Sequence, residues 1–181
     1  MPSTGELAAG DTPRRNWRLI AWITVLGLVT VAIDQATKAW AVSALAGREP
    51  VAMVGELLQL RLVYNPGAAF SLASGLTWVL TLLVTVVIVV AIRVSAKIGS
   101  RAWSVALGLL LGGAFGNLLD RLFRDPGFPE GAVVDFIDYG GWFVGNVADI
   151  AIVLAVGLIA LLTLRGVRVD GSRHPATQRS G

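Results

Sequence analysis

The chain contains no cysteine, which removes disulfides, thiolate catalysis and cysteine-ligated metal sites at once. It has a single histidine, His174, in a polar C-terminal stretch, so neither a Ser-His-Asp triad nor a histidine-rich zinc site is expected. Charge is scarce too: 15% of the 181 residues are Asp, Glu, Lys or Arg, against 55% hydrophobic residues. A mean hydropathy of +0.70 is too apolar for an ordinary soluble domain and points to a polytopic membrane protein. The net charge of +3 is no nucleic-acid signature, because the basic residues collect at the ends of hydrophobic runs.

Four apolar runs stand out, at 19–33, 75–92, 102–119 and 150–164. Each reaches the roughly 20 residues of a span when polar residues at one end are included. Between the second and third lies a short basic loop with Arg93, Lys97 and Arg101. Arg14, Arg15 and Arg18 precede the first run, and Arg165, Arg168, Arg173 and Arg179 follow the last. Ten of the fifteen basic residues thus fall on one side, which predicts four helices with both termini cytoplasmic. Residues 1–16 read as a disordered cytoplasmic lead, 17–165 as one four-helix membrane domain, and 166–181 as a polar cytoplasmic tail. A cleaved signal peptide is the competing reading of the first run, since Ala44-Leu45-Ala46 resembles a cleavage site. Asp34 and Lys38 interrupt the approach to that site, and an attached helix fits better.

Two longer segments fall outside. In 47–74, VAMVGELLQLRLVYN is a β-prone run suited to a strand pair on the membrane surface, with an interfacial helix as the alternative for part of it. Asn65-Pro66-Gly67 ends it as a turn. The second, 122–145, carries the turns Asp125-Pro126-Gly127 and Gly140-Gly141, and Trp142 and Phe143 as interfacial aromatics. Its end overlaps the most unusual stretch of the chain, residues 133–149, VVDFIDYGGWFVGNVAD, which holds Asp135, Asp138 and Asp149. Asp135 is read in a polar loop and Asp149 at the mouth of the last helix.

The predicted topology gathers polar residues at one membrane face: Asp34, Thr37 and Lys38 at the end of helix 1, Asn65 before helix 2, Asn117, Asp120 and Arg121 at the end of helix 3, and Asn146 and Asp149 at the start of helix 4. An acid at the edge of a span is a functional candidate by default. Two acids brought together are the minimal equipment for activating a water against a peptide bond. Asp34 and Lys38 have i,i+4 spacing, which suits either a helix-end ion pair or a structural role beside the site. Asp120 suits a polar cluster that orients its helix, while Asn117 and Arg121 have the reach for a substrate carbonyl or phosphate. Asn146 with Asp149 fits a helix cap as well as a site. Gly108, Gly112 and Gly116, with Gly113 beside them, form a ridge for close helix packing.

Together these residues resemble the lipoprotein signal peptidase family, signal peptidase II. The pieces are D-x-x-T-K at Asp34 to Lys38, N-x-G-A-A-F-S at Asn65 to Ser71, G-G-A-x-G-N-L-x-D-R at Gly112 to Arg121, V-V-D-F at Val133 to Phe136, and N-x-A-D at Asn146 to Asp149. Each alone is weak; five in order on four spans are specific. The resemblance implies an all-α membrane fold of four helices with a small extracytoplasmic β-rich or interfacial segment. It implies an aspartic endopeptidase of the bacterial cell membrane, with its site at the extracytoplasmic face and Asp135 and Asp149 as the catalytic dyad. Asn65, Asn117, Arg121, Asn146, Asp34, Lys38 and Asp120 are then substrate-binding or supporting residues. The implied substrate is a prolipoprotein, cleaved just before its diacylglyceryl cysteine. No metal or cofactor is needed, membrane lipid is the other partner, nucleic acid is not one, and a monomer is expected. The chain departs from the pattern in two places: the two aspartates are only fourteen positions apart, and Gly145 stands where an aromatic commonly precedes the asparagine. A transporter would need polar groups near the midplane, and 82–90 and 153–159 carry no ionisable residue. A presenilin-type protease would carry G-x-G-D, which is absent.

Overall fold

A computed structural model describes residues 16–67 and 77–173. Residues 1–15 of the expected N-terminal lead and His174, and much of the N-x-G-A-A-F-S motif, lie outside the described residues. Among the described residues, four helices are long and apolar enough to cross a membrane: α1 (Trp17–Leu45), α2 (Thr77–Ser95), α3 (Arg101–Phe123) and α4 (Val147–Leu164). Between them lie β1 (Val51–Val54), β2 (Leu58–Asn65), β3 (Val133–Asp138) and β4 (Val144–Gly145), antiparallel in the order β1-β2-β3-β4.

α3 is the hub, and its glycines explain why. A Cβ on Gly112 would come within 2.5 Å of Thr30 Cβ and 2.8 Å of the Gly27 carbonyl, both on α1. One on Gly113 would meet the Ala148 carbonyl at 2.6 Å, on α4. Two helices therefore approach α3 at distances that no larger residue permits. α4 answers with its own small buried residues, Ala148, Ala151 and Ala155. The apolar core sits among α1, α2 and α3, around Ile23, Ile88, Leu107, Leu111 and Leu118. The opposite faces of α2 and α4 expose Val86, Val89, Val90, Val153 and Leu154, as a helix against lipid must.

Two sequence expectations are corrected. Helix 1 does not end near Asp34; it runs unbroken to Leu45, and Asp34 and Lys38 are interior. Their charges end nothing because both are fully buried and paired with each other, and Lys38 pairs further with Asp120 of α3. The stretch holding Asp135 is a strand, not a loop, paired along β2 from Asn65↔Val133 to Gln59↔Asp138. As for the cleavage-site reading of Ala44 to Ala46, Leu45 is buried there, and Ala41 and Leu45 pack against Phe136 of β3. Trp40 also meets the Phe136 ring edge-on, with centroids 6.2 Å apart. α1 thus carries the sheet on its last turns. At the other end of the molecule, residues 166–173 fold back instead of trailing away. The Gly99 and Ser100 amides donate to the Val169 carbonyl, and Trp103 Nε1 donates to the Val167 carbonyl.

Candidate active site

Side chains alternate along β3, so Val133, Asp135 and Ile137 share one face and Val134, Phe136 and Asp138 the other. The register with β2 slips between Leu60 and Val63, where three steps on β2 match the two on β3 from Ile137 to Asp135, a bulge that ends at the Val63↔Asp135 pair. Asp135 is buried. Its Oδ2 accepts from Asn65 Nδ2 at 2.8 Å and its Oδ1 from Asn146 Nδ2 at 2.6 Å.

Asp149 stands in the first turn of α4, where helix amides lack intrahelical partners. Asn146 is the N-cap. Its Oδ1 accepts from the Asp149 amide at 3.0 Å, and Asp149 Oδ2 accepts from the Asn146 amide at 3.1 Å, which closes a capping box. Asp149 Oδ1 accepts from Asn117 Nδ2 at 2.9 Å. Asn117 Oδ1 in turn accepts from Asn146 Nδ2 at 3.2 Å and from Lys38 Nζ at 2.9 Å. The cap and the site are therefore one arrangement: Asn146 touches both carboxylates, and Asn117 is held by the same residue.

Burial pushes the Asp135 carboxyl up to about 6, with a contribution in the same direction from the negative charge of Asp149. The hydrogen bonds from Asn65 and Asn146 and the charge of Lys38 oppose it. Burial disfavours the charged form, and the nearby carboxylate adds to that, so one of two such groups readily keeps a proton.

Both aspartates open on a cavity of about 190 Å³. Its polar wall is Asn65, Asn117, Arg121 and the two carboxylates, and its apolar wall comes from Leu80, Leu83 and Val84 of α2 with Phe143. Arg121 is buried, and its Nη1 has no hydrogen-bond partner among the described residues. Asp120 and Arg121 do not pair among the described residues. Asp120 turns instead to Lys38 Nζ at 2.8 Å and to Arg124 Nε at 2.7 Å. Asp34 also meets Lys38 Nζ at 2.8 Å.

Asp138 points the other way. It pairs with Arg61 Nη2 at 3.0 Å and accepts from the Gly141 amide at 2.8 Å, where the backbone turns through positive φ at Gly140 and Gly141. The missing aromatic at position 145 also has a local reason. A Cβ there would fall 2.6 Å from the ring of Phe143 and 3.0 Å from Asp149 Oδ2. Phe143 occupies that space. Among the described residues no three His, Asp or Glu side chains converge as a metal site.

Several contributors escaped the sequence reading. Gln35 donates to the Gly116 carbonyl at 3.0 Å and lies 3.2 Å from Asp34 Oδ2 and 3.3 Å from Asp120 Oδ1. Its place one residue after Asp34 was the available signal. The α2 wall carries no polar mark at all, so nothing in its sequence set it apart from lipid-facing residues.

Comparison with known proteins follows the same outline. A family model described as "Signal peptidase (SPase) II" matches residues 26–165. A lipoprotein signal peptidase of Leifsonia xyli subsp. xyli is 46% identical over 167 residues, covering 90% of this chain and 77% of that protein. One from Rhodococcus jostii is 45% identical, covering 92% of this chain and 83% of its own. One from Mycobacterium avium is 43% identical, covering 97% of this chain and 96% of its own. Among solved structures, a bacterial membrane enzyme determined at 1.9 Å superposes with a TM-score of 0.70 at 24% identity, covering 85% of this chain and 98% of that one. At that identity the likeness concerns the fold.

Proposed function

Since the chain belongs to the signal peptidase II family, we propose that it is a membrane aspartic endopeptidase that removes the signal peptide from diacylglyceryl-modified prolipoproteins. Asp135 and Asp149 are its catalytic pair. The observation that carries the reading is the double grip of Asn146, which holds Asp135 Oδ1 through its side chain and Asp149 Oδ2 through its backbone at the mouth of one cavity.

In this mechanism Asp149 starts ionised, supported by the N-terminal end of the α4 dipole and by two N–H donors. Asp135, pushed up to about 6 by burial, is the member that supplies the shared proton. Asp149 takes a proton from a water lying between the two. The water oxygen bonds to the scissile carbonyl carbon while Asp135 donates its hydrogen bond to the carbonyl oxygen. The C–N bond then breaks, the nitrogen leaves with a proton from the pair, and the carboxylic acid and free amine depart. Arg121 supplies a fixed positive charge for the carbonyl side of the substrate. The apolar α2 wall takes a side chain or the thioether-linked lipid, whose acyl chains stay in the bilayer.

The basic residues at the ends of the spans support both termini in the cytoplasm and the site at the extracytoplasmic face of the bacterial membrane. The test is cleavage of a lipidated prolipoprotein by the purified protein in detergent. Asp135→Asn and Asp149→Asn should each abolish it, and the double variant should be about as inactive as either, as for residues acting as one unit. Near-normal turnover by Asp149→Asn would remove the dyad. Equal cleavage of a substrate whose acceptor cysteine is serine would remove the lipid requirement.

A further inference from the structure

The two proposed catalytic aspartates sit on different elements, one on the sheet and one on α4, and besides the strand ladder and the capping box the backbone just before each is tied to a further helix. That backbone is held from behind. The amide of Ala148, the residue before Asp149, donates to Asp34 Oδ1 at 2.9 Å. The amide of Val134, the residue before Asp135, donates to Asp120 Oδ2 at 3.2 Å. Asp34 and Asp120 come from α1 and α3, 86 positions apart in sequence, and a single group joins them. Lys38 Nζ lies 2.8 Å from each carboxylate, and its third hydrogen bond goes to Asn117 Oδ1 at 2.9 Å.

We propose that Lys38 is a positioning residue: through Asp34 and Asp120 it fixes the backbone immediately before each member of the pair, and through Asn117 it fixes the amide that Asp149 accepts. The inference rests on the dyad reading above. Three features carry it. Lys38, Asp34 and Asp120 are 0%, 0% and 1% exposed, so solvent neither screens the cluster nor substitutes for a lost member. An ammonium group has three donors, and all three are used on three different anchors. The geometry also fixes the orientation of Asn117. With its oxygen turned to Lys38 and Asn146, its Nδ2 can only face Asp149.

A buried ion cluster that served only stability would be replaceable, since such groups contribute little beyond what apolar packing gives. Here the two carboxylates do a second task, gripping N–H groups that lead directly into Asp135 and Asp149. Loss of Lys38 frees both to rotate, and the two N–H groups then lose the fixed acceptors that tie the backbone before each member of the pair to α1 and α3.

The test uses the full-length protein in detergent with a diacylglyceryl-modified prolipoprotein, with kcat and KM expressed per folded molecule from thermal unfolding. Lys38→Met should lower kcat on the order of 100-fold, the scale of a small misplacement of reacting groups, with KM little changed. The pair Asp34→Asn and Asp34→Ala removes the same charge in both cases, but only Asn keeps an oxygen for the Ala148 amide. Asp34→Asn should therefore retain a kcat about tenfold above Asp34→Ala, part of that same misplacement scale. A purely structural cluster predicts equal kcat per folded molecule for the two, and that result overturns the proposal, as does a wild-type kcat in Lys38→Met. If Lys38→Met fails to fold, the Asp34 pair decides alone. Asp149→Asn is assayed alongside. Retained turnover there means that the dyad reading has failed, whereas an inactive Asp149→Asn beside a fully active Lys38→Met sinks only this inference.

Discussion

Asp135→Asn should leave the protein inactive and change how its stability responds to pH. The folded protein holds the Asp135 proton up to about pH 6, whereas an unfolded aspartate releases it near 3.9. Between those values the folded state binds more protons than the unfolded one, so stability is fullest below about pH 4 and falls as pH rises through 6. A shift of about two units corresponds to about 3 kcal/mol lost across that window. Asparagine cannot titrate and removes the whole dependence. It carries a separate, pH-independent cost of about 1–3 kcal/mol, because Asn65 and Asn146 both donate to this side chain and an amide offers them only one oxygen. The variant should therefore be the less stable protein at pH 4 and match or exceed the wild type at pH 7.5. For a domain of this size 3 kcal/mol is roughly 6–12 °C in Tm. Thermal unfolding in detergent at the two pH values reads it, and titrating groups that do not interact with Asp135 cancel between the two proteins. Parallel Tm–pH curves would show that burial of an ionisable Asp135 is not what the geometry indicates.

Gly112→Leu should lower the yield of folded protein, and even Gly112→Ala should cost about 1–3 kcal/mol in thermal stability, since its Cβ has only 2.5 Å to Thr30. Normal yield and activity in the leucine variant would mean that α1 can move away from α3 without consequence. Reporter fusions after Lys97 should read cytoplasmic, and those after Arg48 and Pro129 external; an external reading at Lys97 inverts the site. Asp138→Asn should keep most cleavage activity, because Asp138 faces Arg61 and Gly141 and not the cavity. An inactive Asp138→Asn beside an active Asp135→Asn would move the partner of Asp149 three residues along β3.

The helices were legible because apolar runs of that length have no other use, and the surface strand pair because its residues are β-prone. The extent of α1 was not legible. Asp34 and Lys38 look like a boundary until Asp120, on a distant helix, supplies the pairing that lets charges sit inside a span. β3 looks like a loop in sequence because two acids in six residues mask a strand whose partner, β2, lies some seventy positions upstream. The candidate pair itself could be located by its motifs. What holds it could not: the amides of Val134 and Ala148 are backbone groups, and no residue type announces a backbone contact.

The length of α1 has a consequence for the lipid. Its 29 residues extend about 44 Å, whereas the hydrocarbon core of a bilayer is about 30 Å thick. The remaining helices, of 18 to 23 residues, cover about 27–35 Å. The surplus of α1 is the part that carries the sheet. The height of Asp135 above the short helices is thus set by a protein strut and not by the membrane. A thinner bilayer is met by tilt of the bundle and a thicker one by local thinning of the lipid around the short helices, so the pair, held to α1 by the sheet, keeps its place relative to the bundle in both.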